Sequence, residues 1–244
     1  MLLDVAARVV LLPVLIGQAV YLRKTFLSLP EPDGPRSGMA GDGPPLRMLI
    51  IGDSSAVGIG VATQDLALSG QITQRLAPNR QVTFDLIARS GARTADALAW
   101  LEAAPKASYD VVVTALGVND VTKGVSLRSW LQLQAQLFDT LGDRFGARRI
   151  IVSGLPPVGQ FPLLPHPLRW ILGRQAVRFD RNLRALVAQR PDCVAVTFEV
   201  TLDKTNMAAD GFHPGPTVYA AWAEAIVQLI VTDPLLLDGP HASP

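Results

Sequence analysis

From residue 46 onward, short apolar runs alternate with longer amphipathic stretches, and this alternation restricts the fold more than any other feature of the sequence. The apolar runs, which have the length of strands buried on both faces, cover residues 47–51, 82–87, 110–116, 149–153 and 194–198. The amphipathic stretches cover residues 64–76, 94–103, 127–145, 169–189 and 217–231. Regular alternation of strands and helices predicts a parallel sheet with helices on both faces.

The first 29 residues are predicted to form a separate apolar or amphipathic helix. Its charge-free part, residues 9–22, is shorter than the roughly 20 residues that span a bilayer. We therefore expect a helix that packs on the domain or lies at a membrane surface, with peripheral membrane contact through residues 5–22, and secretion is the least favoured outcome. If the segment inserted, the basic pair Arg23 and Lys24 would hold the following domain on the cytoplasmic side. The expected location is the cytoplasm, at the inner face of the membrane if the protein is associated with one.

Proline and glycine dominate residues 30–45, which are predicted to form an extended linker. The catalytic domain is expected at 46–233, followed by a tail at 234–244. An apolar share of 49% and a net charge of +1 describe a protein with an ordinary core and no electrostatic footprint for nucleic acid. Cys193 is the only cysteine, which excludes an internal disulfide and fits a reducing compartment.

Ligands of open parallel sheets bind beyond the carboxyl ends of the strands, so the loops there are where chemistry is expected. The first such loop reads Gly52-Asp53-Ser54-Ser55. Residues 52–60 contain no lysine and no third glycine at the required spacing, so the loop does not fit a nucleotide-binding motif. Taken alone, Asp-Ser before a helix is more often a helix cap than a catalytic group.

Three further sites follow the first loop. Gly91, taken alone, is a turn glycine, and Asn119 and Asp120 are common turn formers, although an Asn at a strand end also aims an N–H donor into the cleft. Asp210 precedes His213 by three residues on what is predicted to be one tight turn. At this spacing the carboxylate can accept a hydrogen bond from the imidazole and fix its tautomer.

Together these four blocks, in this order and near this spacing, resemble those of the SGNH (GDSL) hydrolase family: Gly-Asp-Ser, Gly91, Gly117-x-Asn119-Asp120 and Asp210-x-x-His213. The resemblance covers about residues 46–230. It implies a flavodoxin-like three-layer α/β/α sandwich with a five-stranded parallel sheet, an esterase or lipase type of activity, and no cofactor or metal.

The resemblance also implies a role for each matching residue. Ser54 would be the nucleophile, His213 the general base and then the acid, and Asp210 the residue that orients His213. The oxyanion hole would consist of the backbone N–H groups of Ser54 and Gly91 and the side-chain amide of Asn119. Ser55 departs from the family, which often has Leu there, and we expect it to cap the following helix.

The loop at residues 154–170 is rich in Pro, Leu and Phe and follows the fourth strand. It is either a packed surface loop or the wall of an acyl pocket. In the second case its candidate lining residues are Leu155, Phe161, Leu163, Leu164 and Trp170. Its apolar character favours small carboxylic esters of short or medium chain length as substrates.

Other functions remain open at this level. Lysophospholipids or thioesters could be substrates of the same triad, and an acyltransferase would use the same residues. An α/β-hydrolase shares the order Ser, Asp, His, but that fold usually has several strands before its nucleophile. A non-catalytic α/β binding protein would have no reason to carry Ser, Asn, Asp and His at these loop positions.

Overall fold

The structure, a computed structural model, describes residues 2–237; Met1 and the tail residues 238–244 lie outside the described part. The strands are β1 (Ser37–Ala40), β2 (Pro45–Gly52), β3 (Gln81–Ala88), β4 (Val111–Ala115), β5 (Arg149–Val152) and β6 (Cys193–Ala195). The helices are α1 (Leu2–Thr25), α2 (Ser54–Val57), α3 (Leu68–Leu76), α4 (Thr94–Ala103), α5 (Val118–Thr122), α6 (Leu127–Phe145), α7 (Leu168–Val187), α8 (Pro216–Thr232) and α9 (Pro234–Leu237). The described residues also form two 3₁₀ turns, at Gln64–Leu66 and Val158–Gln160.

One six-stranded sheet has the order β1-β3-β2-β4-β5-β6. Strands β2 to β6 pair in parallel, so the predicted five-stranded parallel sheet is present. The chain runs from β2 outward to β3 and then crosses to β4 on the other side of β2. The carboxyl ends of β2 and β4 therefore border the point where the strand order reverses, which is where α/β sheets bind ligands.

Two hydrophobic clusters cover the two faces of the sheet. Helices α3 and α8 pack on one face, and α4, α6 and α7 pack on the other. The central strand β4 is buried along its whole length, as its apolar sequence predicts for a strand covered on both sides. This arrangement confirms the three-layer fold.

The segment at 30–45 is not only a linker, because it contains the edge strand β1. Ser37 to Ala40 pair antiparallel with β3, and Arg36 extends the contact through its carbonyl oxygen, which accepts a bond of 2.7 Å from the Leu86 N–H. The Arg36 guanidinium also donates to the Ala88 carbonyl oxygen at 2.8 Å. The strand depends on hydrogen bonds to β3 and not on an apolar run of its own, so its composition did not reveal it.

Helix α1 docks on the domain through Gln18. The side-chain amide of Gln18 donates to the His166 carbonyl oxygen at 2.6 Å and accepts from the Leu168 N–H at 3.1 Å. Leu22, one turn further along, packs against the core. Within residues 2–237, no helix has the length and apolarity that crossing a membrane requires.

Cys193 is expected to be unreactive in the folded protein. It begins β6 and is 8% exposed, and burial raises the pKa of its thiol to about 12. Because the thiolate is the reactive form, a disulfide-type thiol reagent at pH 8 should label Cys193 only after the chain is unfolded in guanidinium. Rapid stoichiometric labelling of the native protein would contradict this burial.

Candidate active site

The backbone of the turn after β2 packs very closely against neighbouring residues, and this packing fixes the position of Ser54. A Cβ atom at Gly52 would lie 2.5 Å from the Ala56 Cβ and 2.7 Å from the Ala115 carbonyl oxygen. Only glycine fits there, and α2 begins two residues later, at Ser54. Ser54 is 9% exposed and stands at the N-terminal end of a helix, where backbone N–H groups are available.

Asp53, and not Ser55, caps α2. The Asp53 carboxylate accepts from the Ser55 N–H at 3.0 Å and from the Ser55 hydroxyl at 2.8 Å. The expectation that Ser55 caps the helix is therefore wrong, since its hydroxyl is a donor to the cap. The Tyr219 hydroxyl donates to the Ser55 carbonyl oxygen at 3.0 Å, which ties the turn to α8.

Ser54, His213 and Asp210 form a continuous hydrogen-bonded chain. His213 Nε2 is 2.8 Å from the Ser54 hydroxyl oxygen, and His213 Nδ1 is 2.5 Å from an Asp210 carboxylate oxygen. Asp210 Oδ1 also accepts from the backbone N–H groups of Phe212, at 2.9 Å, and His213, at 3.0 Å. Burial opposes ionisation of Asp210, but the bonds from His213 and the backbone outweigh it and hold the pKa of the carboxyl below its usual value. The three side chains are thus arranged with an ionised carboxylate behind a hydrogen-bonded imidazole.

Asn119 lies on α5 and turns its amide towards the same turn. Its Nδ2 donates to Asp53 Oδ2 at 3.0 Å. An amide nitrogen carries two hydrogens, so the second remains available to a ligand in the cavity that Asn119 lines. Burial raises the pKa of the Asp53 carboxyl, and the donors of Ser55 and Asn119 oppose this in part.

Gly91 lies in the turn after β3 with a φ of +78°. Its carbonyl oxygen accepts from the Lys123 ammonium at 2.6 Å, so the turn is tied to the end of α5. Gly91 is not among the described residues that line the cavity beside Ser54 and Asn119.

A buried polar network connects the Gly91 and Asn119 loops. The Asp120 carboxylate accepts from both the N–H and the hydroxyl of Thr94, at 3.1 Å each. The Thr94 hydroxyl oxygen in turn accepts from Trp130 Nε1 at 3.2 Å and from Gln134 Nε2 at 3.0 Å. Asp120 therefore shapes the loops, as does Asp53, and within residues 2–237 neither carboxylate forms a hydrogen bond with the Ser54 hydroxyl.

A cavity of about 1150 Å³ opens beside the triad. Leu155 and Phe161 belong to its wall, whereas Leu163, Leu164 and Trp170 do not. The loop turns away after Phe161: Leu164 is buried in the core, and Trp170 lies on α7, 42% exposed.

The cause of this turn is a close contact between two glycines. A Cβ at Gly173 would lie 2.6 Å from the Gly159 Cα, so the 3₁₀ turn at Val158–Gln160 packs directly on α7. The chain after it continues into α7 and not along the cavity.

Sequence reasoning missed the rest of the cavity wall. The segment after β6 and residues next to the triad supply it: Phe198, Glu199, Val200, Thr201, Leu202, Met207 and Phe212. One signal was present, because residues 198–202 follow the carboxyl end of the fifth parallel strand, which is the same sheet edge. Among residues 2–237, no group of three or more His, Cys, Asp or Glu side chains is suitable for a metal ion.

This fold and this site agree with the comparison against known families. Residues 50–221 match the GDSL-like lipase/acylhydrolase family, and the chain belongs to that family. None of the curated proteins compared with the chain matches it.

Solved structures share the fold at low sequence identity. The lipase Lip_vut3 from a goat rumen metagenome is 18% identical, with a TM-score of 0.60 over 74% of this chain and 95% of its own. The structure of TesA is 24% identical, with a TM-score of 0.60 over 78% of this chain and 99% of its own. An acetylxylan esterase from Geobacillus stearothermophilus is 18% identical, with a TM-score of 0.56 over 76% and 94%.

Proposed function

We propose that the protein is a serine esterase that hydrolyses carboxylic esters of short or medium acyl chain length through an acyl-enzyme. The observation that carries this proposal is the hydrogen-bonded chain from Ser54 through His213 to Asp210, with distances of 2.8 Å and 2.5 Å. A serine hydroxyl is a poor nucleophile by itself, and an adjacent imidazole held by a carboxylate is the usual means of activating it.

The reaction proceeds in two halves. In the first, His213 Nε2 takes the hydroxyl proton while Ser54 Oγ attacks the ester carbonyl carbon, and the imidazolium then gives this proton to the departing alcohol. In the second, His213 Nε2 takes a proton from water, which attacks the acyl-Ser54 carbonyl; the bond between the acyl carbon and Ser54 Oγ then breaks, the imidazolium returns the proton to Ser54 Oγ, and the carboxylic acid is released. Asp210 keeps the imidazole in the required tautomer and stabilises its cation in both halves.

The negative oxygen of each tetrahedral intermediate needs donors that are already in place. We propose the Ser54 and Gly91 backbone N–H groups and the Asn119 amide for this role. Asn119 is the best supported of the three, because its bond to Asp53 fixes the amide beside the nucleophile turn.

An ester of modest size suits the cavity. Its volume of about 1150 Å³ slightly exceeds the roughly 300–1,000 Å³ typical of small-molecule sites, so both halves of an ester fit. Leu155, Phe161, Leu202 and Phe212 are buried or half-buried apolar walls for an acyl chain, and Arg181 adds a positive charge at the cavity.

The direct experiment is a series of p-nitrophenyl esters of increasing acyl length, followed by kcat/KM for each. Activity that rises to a maximum at short or medium length supports the proposal, and the position of the maximum measures the depth of the apolar wall. Absence of hydrolysis across the whole series, with no phosphonylation of Ser54 by a fluorophosphonate, would sink it.

Replacing Asn119 by alanine is expected to lower kcat by about 10²- to 10³-fold with little change in KM, because an oxyanion donor acts mainly in the transition state. Asn182→Ala is the matched control, since the Asn182 amide donates within α7 to the Arg178 carbonyl oxygen. An unchanged kcat in Asn119→Ala would remove this residue from the oxyanion hole.

A further inference from the structure

One side of helix α1 faces the domain. Between Val10 and Thr25 the half-buried positions are Leu11, Leu15, Gln18 and Leu22, with spacings of four, three and four residues. This spacing defines a single stripe along a helix. Gln18 in this stripe bonds to the start of α7, as described above.

The other side of α1 is apolar as well, although it faces solvent. Its large exposed side chains, 48–76% accessible, are Val10, Leu12, Val14, Ile16, Val20 and Tyr21. No charged residue occurs in residues 9–22. Soluble proteins rarely leave a continuous apolar surface of this kind uncovered, and such a surface marks a contact with a partner or a membrane.

Basic and aromatic residues lie at the end of α1 and on α7, the helix that α1 contacts. Arg23 and Lys24 follow the apolar face on the last turn of α1. On α7, which α1 contacts, Trp170 is 42% exposed and stacks with the Arg174 guanidinium at 5.4 Å. Arg178 lies one turn further along the same face of α7, at the four-residue spacing of a helix, and is also exposed. Aromatic residues and cations of this kind are typical of the boundary between lipid and water.

We propose that the apolar face of α1 docks the protein onto an anionic lipid bilayer, with α1 lying in the interface. The charge-free 14 residues of helix extend only about 21 Å, less than the roughly 30 Å of a hydrocarbon core. Charge complementarity selects lipid as the occupant: anionic headgroups pair with Arg23, Lys24 and Arg178, whereas the apolar α1 face of a second copy offers these cations no negative charge.

Docking would also place the cavity near the bilayer. Phe26, directly after α1, makes edge-to-face contacts with Phe212 at 6.1 Å and with His213 at 6.3 Å. The docked helix therefore ends at the His213 side of the cavity, so that an ester carried in or at the membrane would have a short path to it.

The test is co-flotation of the full chain with vesicles of phosphatidylcholine, with and without phosphatidylglycerol. Wild-type protein should float with the anionic vesicles. Val14→Glu with Val20→Glu, at two exposed positions, should weaken this binding at least about tenfold by placing charge in the apolar face. Lys24→Gln with Arg178→Gln, both at exposed positions, should weaken it by roughly fivefold per cation removed. Val231→Glu, on the exposed side of α8, is the matched control and should bind as wild type.

Equal binding by the Val14 and Val20 double variant, or no flotation of wild-type protein, would overturn the proposal. So would a concentration-dependent dimer in analytical ultracentrifugation that the same double variant abolishes, because a second copy would then cover the face. The melting temperature of each variant confirms that it is folded. These measurements do not involve Ser54, so their failure is distinguishable from failure of the esterase proposal.

Discussion

Replacing Ser54 by alanine is expected to lower kcat for a p-nitrophenyl ester by about 10⁶-fold, the scale on which removal of a triad serine acts. The physical reason is that, within residues 2–237, the Ser54 hydroxyl is the one nucleophile hydrogen-bonded to His213 Nε2, at 2.8 Å. Steady-state kinetics measure the loss, and a fluorophosphonate probe followed by mass spectrometry identifies the labelled serine.

Ser55→Ala is the matched control for this experiment. It removes the hydroxyl bond to Asp53 at 2.8 Å but keeps the backbone N–H bond at 3.0 Å, so α2 stays capped and kcat should fall only modestly. Retained activity in Ser54→Ala, or a probe found on Ser55, would contradict the mechanism.

Replacing Asp210 by asparagine should lower kcat by about 10⁴-fold, because the amide favours the wrong imidazole tautomer and leaves the imidazolium without its counter-charge. The variant should also be less stable at neutral pH. The folded-state pKa of Asp210 is depressed, so its contribution to stability is present above the unfolded-state value of about 3.9 and is lost as the pH falls through the folded-state pKa. Thermal unfolding at several pH values should show the two proteins converging at low pH.

Asp203 provides a closely matched control. Its carboxylate also accepts backbone N–H bonds, from Thr205 at 2.9 Å and Asn206 at 3.1 Å. The hydrogen bond from the Thr205 hydroxyl, together with these backbone bonds, lowers the pKa of Asp203. Among the described residues, Asp203 forms no hydrogen bond with an imidazole. Asp203→Asn should therefore retain kcat. A comparable loss of kcat in both variants would assign the effect of Asp210 to loop structure.

Most of the fold could be predicted from the sequence, because the apolar and amphipathic patterns that specify its strands and helices lie within short stretches of the chain. Apolar runs such as the one ending at Gly52 are buried on both sides, and the amphipathic stretch at 127–145 became α6 with the same bounds. Strand β1 lacks such a signal: its exposure alternates between exposed and half-buried, and the partner that stabilises it, β3, lies more than forty residues away in sequence. Long-range pairing of this kind is not encoded in composition.

The candidate site likewise has one part that the local sequence predicts and another that depends on contacts between distant residues. Asp210 and His213 are three residues apart on one turn, so their contact follows from the local sequence. The contact of His213 with Ser54 spans 159 residues and was expected only through the resemblance to a family. The cavity wall was predicted least well, because the packing of Gly159 against Gly173 determines where that loop turns, and no periodicity reports such a contact.

Strand β1 has a consequence for where the domain can be cut. A protein trimmed to begin at residue 46, the boundary that composition suggests, would lose Ser37–Ala40 and leave the outer side of β3 without its hydrogen-bonding partner. The unpaired N–H and C=O groups along Val82 to Asp85 would then form an open sheet edge next to buried Phe84. Such an edge is a template for pairing between molecules, so we expect the trimmed protein to aggregate more readily than the full chain.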